Sequence, residues 1–280
     1  MIVINRGDAA TKPLAGQVAV VTGAGSATGI GFATAFRLGS MGAALAVTST
    51  TDRIYDRVAE LTAAGFSAIG FVADLTDPDQ VISFAQDVID RHGRIDIIIN
   101  NAGMVSHAAG WDALKPLEEL TLTEWNEALG RNLTTAFLVT KSLLPAMKAN
   151  SYGRIINISS TTGTVGAMPN QSTYGSAKAA LVGFTKSIAL EVAKRGITVN
   201  AVAPGWIATG SATEAELEAG KATPIGRSGT PEEVAAFVAF LATPEASYIT
   251  AQLFVIDGGN SVVDDKTHYI VGGSITPRLV

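Results

Sequence analysis

The sequence predicts a doubly wound α/β domain, in which helices cover both faces of a parallel sheet of about seven strands. Short apolar, β-rich runs alternate with longer helical patterns along the chain. The runs are continuously apolar, as expected when both faces of a sheet are covered. Glycine-rich turns follow several of the runs, and the 29 glycines of the chain suit many tight strand-to-helix connections.

Seven apolar runs read as strands, in the order VAVVT, ALAVTS, AIGFVA, IDIIIN, RIINIS, ITVNAVA and QLFVID. A helical pattern, FATAFRLGSMG, follows the first run, and others span 53–64, 80–91, 124–149, 173–194 and 231–242. Strands that alternate with helices in this way form right-handed crossovers within a parallel sheet. Ligands should therefore bind beyond the carboxyl ends of the strands, where the segments NNAG, NISS and APG fall.

The elements form one predicted domain. It spans residues 15–260, between an N-terminal extension, 1–14, and a C-terminal tail, 261–280. No linker or internal repeat divides it, and a chain of 280 residues with 47% hydrophobic residues can bury a large core.

Composition excludes several classes of function. The chain has no cysteine, so it has neither disulfides nor thiolate chemistry, and its three histidines form no cluster that predicts a metal site. A net charge of −5 without a basic stripe disfavours nucleic acid. Neither a signal peptide nor an apolar run of membrane-spanning length is present. We therefore expect a cytoplasmic protein that binds neither nucleic acid nor a membrane.

A glycine-rich loop, TGAGSATGIG, lies between the first strand and the first helix. Strand, glycine turn and helix form the context that dinucleotide binding requires. Gly23, Gly29 and Gly31 would permit the turn, the approach of backbone to pyrophosphate, and close helix packing. Backbone N–H groups at the start of the helix would then face the phosphates.

Tyr174 and Lys178 are four residues apart in YGSAK, so a helix places them on one face. A nearby ammonium group favours phenolate and lowers the pKa of the phenol, which is about 10 in model peptides. Ser160 lies fourteen residues upstream and Asn132 further back. Together with the glycine loop, this pair predicts a proton-donating site beside a dinucleotide.

The ordered set of motifs resembles the short-chain dehydrogenase/reductase family, over roughly residues 15–260. The family has a Rossmann-type fold. The matching segments are TGAGSATGIG, ADLTD, NNAG, RNLTTAF, NISS, YGSAK, APGWIAT, PIGRSGTPEEVA and FVIDGG.

The resemblance implies an NAD(P)-dependent oxidoreductase acting on a carbonyl and secondary alcohol pair. Tyr174 would donate the proton, Ser160 would orient the carbonyl oxygen, and Lys178 would bind the nicotinamide ribose and lower the pKa of Tyr174. Asn132 would hold a water that links Lys178 to solvent. The implied cofactor-binding residues are Gly23, Gly25, Gly29, Ile30, Gly31, Ser49, Arg53, Asp74, Leu75, Asn101, Ala102, Gly103, Tyr174, Lys178, Pro204, Gly205, Ile207 and Thr209.

The chain departs from the family pattern at three places. Its glycine motif is two residues longer, so Gly25 or Gly29 could fill the middle role. The loop 103–132 is long and contains His107 and Trp111, and the tail extends past the usual end of the family core. Ser159 adjoins Ser160 and is the alternative catalytic serine.

Cofactor choice depends on the end of the second strand. NAD-binding folds place an acidic residue there for the ribose 2′-OH. Ser49 occupies this position and Arg53 follows, which favours a 2′-phosphate. Asp52 could instead bind the 2′-OH, so we expect NADP and leave NAD possible.

The substrate prediction is a small free ketone or secondary alcohol. The alternative is a 3-oxoacyl group on an acyl carrier protein, because PIGRSGTPEEVA and SYITAQ resemble carrier-protein reductases. Such enzymes dock an acidic partner, yet Ser151 and Leu190 stand where basic residues would be useful. A dinucleotide-binding redox regulator and an NAD-dependent lyase or epimerase are further alternatives.

The resemblance also implies a homotetramer, whose apolar tail, with Tyr269 and Ile270, would pack on a neighbouring subunit.

Overall fold

Seven parallel strands form one sheet in the order β3-β2-β1-β4-β5-β6-β7. The computed structural model describes residues 12–103 and 114–264. The predicted doubly wound α/β fold is confirmed, and all seven predicted strands form. The strands are β1 (Val18–Val21), β2 (Ala44–Ser49), β3 (Ala68–Val72), β4 (Ile97–Asn100), β5 (Gly153–Ile158), β6 (Ile197–Pro204) and β7 (Leu253–Ile256).

The α-helices of the described ranges connect these strands. Several begin where the sequence supplies a cap: Asp77 and Thr230 each accept a bond from a backbone N–H of the first turn, and proline follows each of them. The helices are α1 (Ile30–Ser40), α2 (Arg53–Ala63), α3 (Pro78–His92), α4 (Leu122–Leu129), α5 (Thr135–Asn150), α6 (Ser172–Val192), α7 (Glu214–Lys221) and α8 (Pro231–Leu241).

Two apolar cores cover the two faces of the sheet. One packs α1, α2 and α8 against one face, and the other packs α3, α5 and α6 against the opposite face. Alternate residues of β1 point to opposite cores, with Ala19 and Val21 on one side and Val18 and Val20 on the other. Burial on both faces explains why the central strands read as continuous apolar runs.

The helix predicted over 124–149 is not a single α-helix. A π-helical segment, Gly130–Thr134, lies between α4 and α5. The extra residue in a π turn redirects side chains, and such segments are frequent at functional sites. The remaining predicted helices form within two residues of their expected ends.

The sheet places the candidate residues at one edge. The strand order reverses at β1, which pairs with β2 on one side and β4 on the other. Ligands of doubly wound folds bind beyond the carboxyl ends of the strands at such a point. His107, Trp111 and the apolar part of the tail lie outside the described residues. Within the described ranges, no helix is long and apolar enough to cross a membrane.

Candidate active site

The glycine loop is closely packed against the end of β4. Gly23 has φ +68°, and a Cβ there would lie 2.9 Å from Ala102 Cα. A Cβ at Gly31 would lie 2.5 Å from Asn101 Nδ2. The Asn101 side chain donates hydrogen bonds to the carbonyl oxygens of Thr22 and Gly23, both at 3.0 Å. Only glycine fits at these two positions without a shift of the backbone.

Gly25 is the more closely packed of the two candidates for the middle position of the loop. A Cβ there would lie 2.5 Å from Ser49 Oγ and 2.7 Å from Arg53 Nε. Gly29 is less constrained, because its nearest contact would be Ser26 Cβ at 3.1 Å and its backbone is extended. The structure therefore brings Ser49 and Arg53 together beside the loop. Ser49 Oγ also bonds locally to Thr51, accepting from its N–H at 3.1 Å.

The acidic residue after β3 is held by a local turn. Asp74 Oδ1 accepts from Thr76 N at 2.9 Å and from Thr76 Oγ1 at 2.7 Å. Leu75 is buried beside it. Both residues lie on the side of the sheet edge that β3 and β2 form, which suits the adenine end of a dinucleotide.

Tyr174 and Lys178 lie on the first turns of α6, as predicted. A buried polar network positions this helix: Asn157 Nδ2 donates to Thr185 Oγ1 at 2.8 Å, and Asn100 Nδ2 donates to Asn157 Oδ1 at 2.8 Å. The network ties the ends of β4 and β5 to the middle of α6. The two side chains four residues apart on this helix therefore have a fixed orientation towards the sheet edge.

Two adjacent serines have different roles in the structure. Ser159 Oγ is buried and donates to the backbone oxygen of Lys178 at 2.8 Å. Ser160 is half-buried, and its side chain hydrogen bonds with Tyr174. Ser160 Oγ also accepts from Thr162 N at 3.1 Å. Ser160 is thus the serine placed against the phenol, and Ser159 anchors the strand end to α6.

Lys178 is a buried cation. It is 3% exposed, and its Nζ donates to the carbonyl oxygen of Ile158 at 2.9 Å. The Nζ atom lies 5.6 Å from the centroid of the Tyr174 ring. Burial lowers the pKa of Lys178 from 10.5 to about 8.

The expected decrease in the pKa of Tyr174 is not found. Burial raises the pKa of this phenol above 10.0, the hydrogen bond with Ser160 opposes that increase, and the charge of Glu216 adds to it. Lys178 lies over the ring and bonds Ile158 instead of reaching the phenol oxygen. The prediction was wrong for this structure because desolvation of the phenol has the larger effect.

Asn132 lies in the π-helical segment and is buried. Its Nδ2 donates to the carbonyl oxygen of Ala128 at 3.1 Å. A Cβ at Gly103 would lie 2.7 Å from Asn132 Oδ1 and 3.3 Å from Lys178 Nζ. The structure therefore brings Asn132, Gly103 and Lys178 together.

Gly163 is a positioning residue that sequence reasoning missed. It has φ +91°, and a Cβ there would lie 2.0 Å from the carbonyl oxygen of Gly175. Gly175 follows Tyr174 directly, and Gly163 is three residues after Ser160. This backbone contact holds the Ser160 loop against the start of α6. The glycines of TTGTVG were a signal for a tight turn, but their contact partner is not visible in the sequence.

A cavity of about 590 Å³ opens at the carboxyl edge of the sheet. Ten of the predicted residues line it: Ile30, Asn101, Gly103, Ser160, Tyr174, Lys178, Pro204, Gly205, Ile207 and Thr209. The remaining predicted residues lie in the glycine loop, at the end of β2, after β3 and β4, at the start of α2, and in the π segment. The lining also includes Met168, Gln171, Trp206 and Glu216, which the sequence analysis did not select.

Comparisons with known proteins agree with this geometry. A family model described as "Enoyl-(Acyl carrier protein) reductase" matches residues 23–261. The chain is 42% identical over 253 residues to 3-oxoacyl-[acyl-carrier-protein] reductase of Synechocystis sp., covering 88% of this chain and 97% of the relative. It is 39% identical over 252 residues to 3-oxoacyl-[acyl-carrier-protein] reductase FabG of Escherichia coli, covering 89% and 98%.

A solved structure has the same fold. It is a mutant of a Serratia marcescens short-chain dehydrogenase/reductase in which two phenylalanines are replaced by leucine, 36% identical to this chain, with a TM-score of 0.80. The match covers 89% of this chain and 99% of that one. The chain therefore belongs to the short-chain dehydrogenase/reductase family and is an NAD(P)-dependent oxidoreductase of the ketone and secondary alcohol pair.

Proposed function

We propose that the chain reduces the ketone of a 3-oxoacyl group with NADPH, using Tyr174 as the proton donor. The observation that carries this proposal is that Ser160, Tyr174 and Lys178 line one cavity, with Lys178 Nζ 5.6 Å from the centroid of the Tyr174 ring. The names of the relatives favour the 3-oxoacyl substrate, which the sequence analysis placed second.

Tyr174 donates its phenol proton to the carbonyl oxygen, and Ser160 Oγ donates a hydrogen bond to the same oxygen. Bound nicotinamide supplies the hydride. Lys178, with a pKa of about 8, can exchange a proton close to neutral pH. Its Nζ does not reach the phenol oxygen, so a bridging hydroxyl group or water would carry that proton to Tyr174. Asn132 and Gly103 lie beside the Lys178 ammonium group. Asn132 would there hold a water that connects Lys178 to solvent, as the family resemblance implies.

The residues present suit a dinucleotide. Gly23, Gly25 and Gly31 leave no room for a Cβ, so the loop presents bare backbone to a ligand. Arg53 and Ser49 meet beside Gly25, where they would bind a 2′-phosphate. Asp52 precedes α2 and makes no capping bond, so it is the group that would serve a 2′-OH if NAD were used. The combination supports NADP as the cofactor.

A free small ketone is the second candidate substrate. Leu190 is 78% exposed on α6, and Ser151 is exposed at the end of α5. Neither offers the positive charge that would attract an acidic carrier, and the chain itself carries a net charge of −5. The two candidate substrates therefore differ in whether a carrier protein delivers the ketone, and the proton transfer from Tyr174 is the same for both.

Steady-state kinetics with NADPH test the proposal. We expect a higher kcat/KM for a 3-oxoacyl thioester on acyl carrier protein than for small free ketones of matched chain length. A clear preference for the free ketones selects the second candidate. Tyr174→Phe is the control: it should lose most turnover yet bind NADPH nearly as well as the wild type. Near-full activity of Tyr174→Phe would contradict the proton route.

We also propose a homotetramer in the cytoplasm. Phe137 is 43% exposed and packs edge-to-face on Phe184, so α5 and α6 carry an aromatic pair at their surface. Phe240 and Val255, on α8 and β7, are exposed as well and mark a second surface. Two such surfaces suit dihedral assembly. Light scattering at micromolar concentration tests this, and a monomer would contradict it.

A further inference from the structure

One carboxylate stands at the wall of the active-site cavity. Helix α7 forms part of that wall, and Glu216 on its first turn lines the cavity. Among the described residues that line it, Glu216 is the only carboxylate and Lys178 the only cation. The Lys178 ammonium group is buried against the Ile158 carbonyl oxygen. Glu216 is only partly buried, so it is the more accessible of the two charged groups in the cavity lining.

The position of this carboxylate is fixed by a capping box. Glu216 Oε2 accepts from Thr213 N at 2.8 Å and from Thr213 Oγ1 at 3.0 Å. Thr213 Oγ1 in turn accepts from Glu216 N at 3.2 Å. The capping box therefore favours the rotamer that keeps the carboxylate at the wall of the cavity, whereas an unrestrained surface glutamate samples several rotamers.

The charge of Glu216 also reaches the reacting group. It is one of the causes that raise the pKa of the Tyr174 phenol, together with burial. A negative charge that disfavours the Tyr174 phenolate will also disfavour a substrate anion in the same cavity. Both repulsions act across a space from which part of the water is excluded.

We propose that Glu216 is a specificity-determining residue that admits ketones without a negative charge and rejects anionic 3-oxo acids. This inference rests on the proposed function. A 3-oxo acid loses its carboxylate charge when it becomes an ester or thioester, so the same carbon skeleton is admitted once it is esterified. Repulsion by Glu216 thus favours the activated acyl group over the free acid.

Ethyl acetoacetate and acetoacetate are suitable probes, since they share the reacting ketone and differ in charge. With NADPH, we expect the wild type to prefer the neutral ester. Glu216→Gln should reduce this preference by about tenfold or more, mainly by raising kcat/KM for the anion. Glutamine preserves the capping box, so α7 should still form. Glu218→Gln is the matched control, because Glu218 lies on the same helix, is 61% exposed and does not line the cavity.

The pH profile provides a second readout that a structural role would not move. Removing the Glu216 charge lowers the pKa of Tyr174, so the profile for alcohol oxidation should shift towards acid in Glu216→Gln and not in Glu218→Gln. An unchanged ester-to-acid preference in Glu216→Gln overturns the inference alone. A wild type that reduces neither compound, nor any 3-oxoacyl thioester, overturns the proposed function together with the inference.

Discussion

Lys178→Met should change the pH dependence of stability in a direction that the structure determines. Lys178 is 3% exposed, and burial lowers its pKa from 10.5 to about 8. Between these values the unfolded chain holds the proton and the folded chain does not. The free energy of unfolding of the wild type therefore rises with pH through this window.

The size of the effect follows from the two pKa values. Their difference corresponds to about 3 kcal/mol against the folded state at pH 7, where the buried amine is mostly protonated. By pH 10 the folded amine is neutral, and about 2 kcal/mol of that cost is gone. Methionine keeps most of the length of the side chain and removes the charge, so the variant should not show this gain.

The assay is denaturant unfolding at pH 7 and pH 10 for the wild type, Lys178→Met and Lys186→Met. Lys186 is exposed on the same helix and serves as the control. The loss of the hydrogen bond to Ile158 contributes similarly to the stability of Lys178→Met at both pH values, so the difference between the two pH values is the readout. We expect the wild type to gain about 2 kcal/mol relative to Lys178→Met between pH 7 and 10. An equal change in the free energy of unfolding of the wild type and Lys178→Met between pH 7 and pH 10 would refute the argument that Lys178 is a buried cation.

Two further substitutions test the site. Gly163→Ala should lower kcat by about 100-fold, because the new Cβ would displace the loop of Ser160; Gly65→Ala, at φ +85° in open space, carries similar strain and should keep its activity. Full activity in Gly163→Ala would show that the loop position is not critical. Arg53→Ala should raise KM for NADPH by about tenfold and leave KM for NADH nearly unchanged. Arg37→Ala, at the far end of α1, is its control, and equal effects on both cofactors would remove Arg53 from 2′-phosphate binding.

Much of the site was predictable because its spacing is local. Tyr174 and Lys178 share a face of α6 for the same reason that any residues four apart on a helix do. The glycine loop, the alternation of strands and helices along the chain, and the family resemblance likewise follow from contiguous segments. Continuously apolar runs that alternate with helices require a parallel sheet with helices on both faces, so the α/β layering follows from the sequence pattern.

The tertiary structure decided which side chains meet. The family resemblance favoured Ser160 over the adjacent Ser159, but only the packing of β5 against α6 directs Ser159 towards Lys178 O and Ser160 towards Tyr174. The pKa of Tyr174 depends mainly on how far the phenol is removed from water, and the YxxxK spacing does not predict that burial. Glu216 lines the cavity from helix α7, over forty residues beyond Tyr174 in the sequence. The sequence shows which residue types the site contains. Their burial and their long-range contacts, which determine the chemistry of the site, arise only when distant segments pack together in the fold.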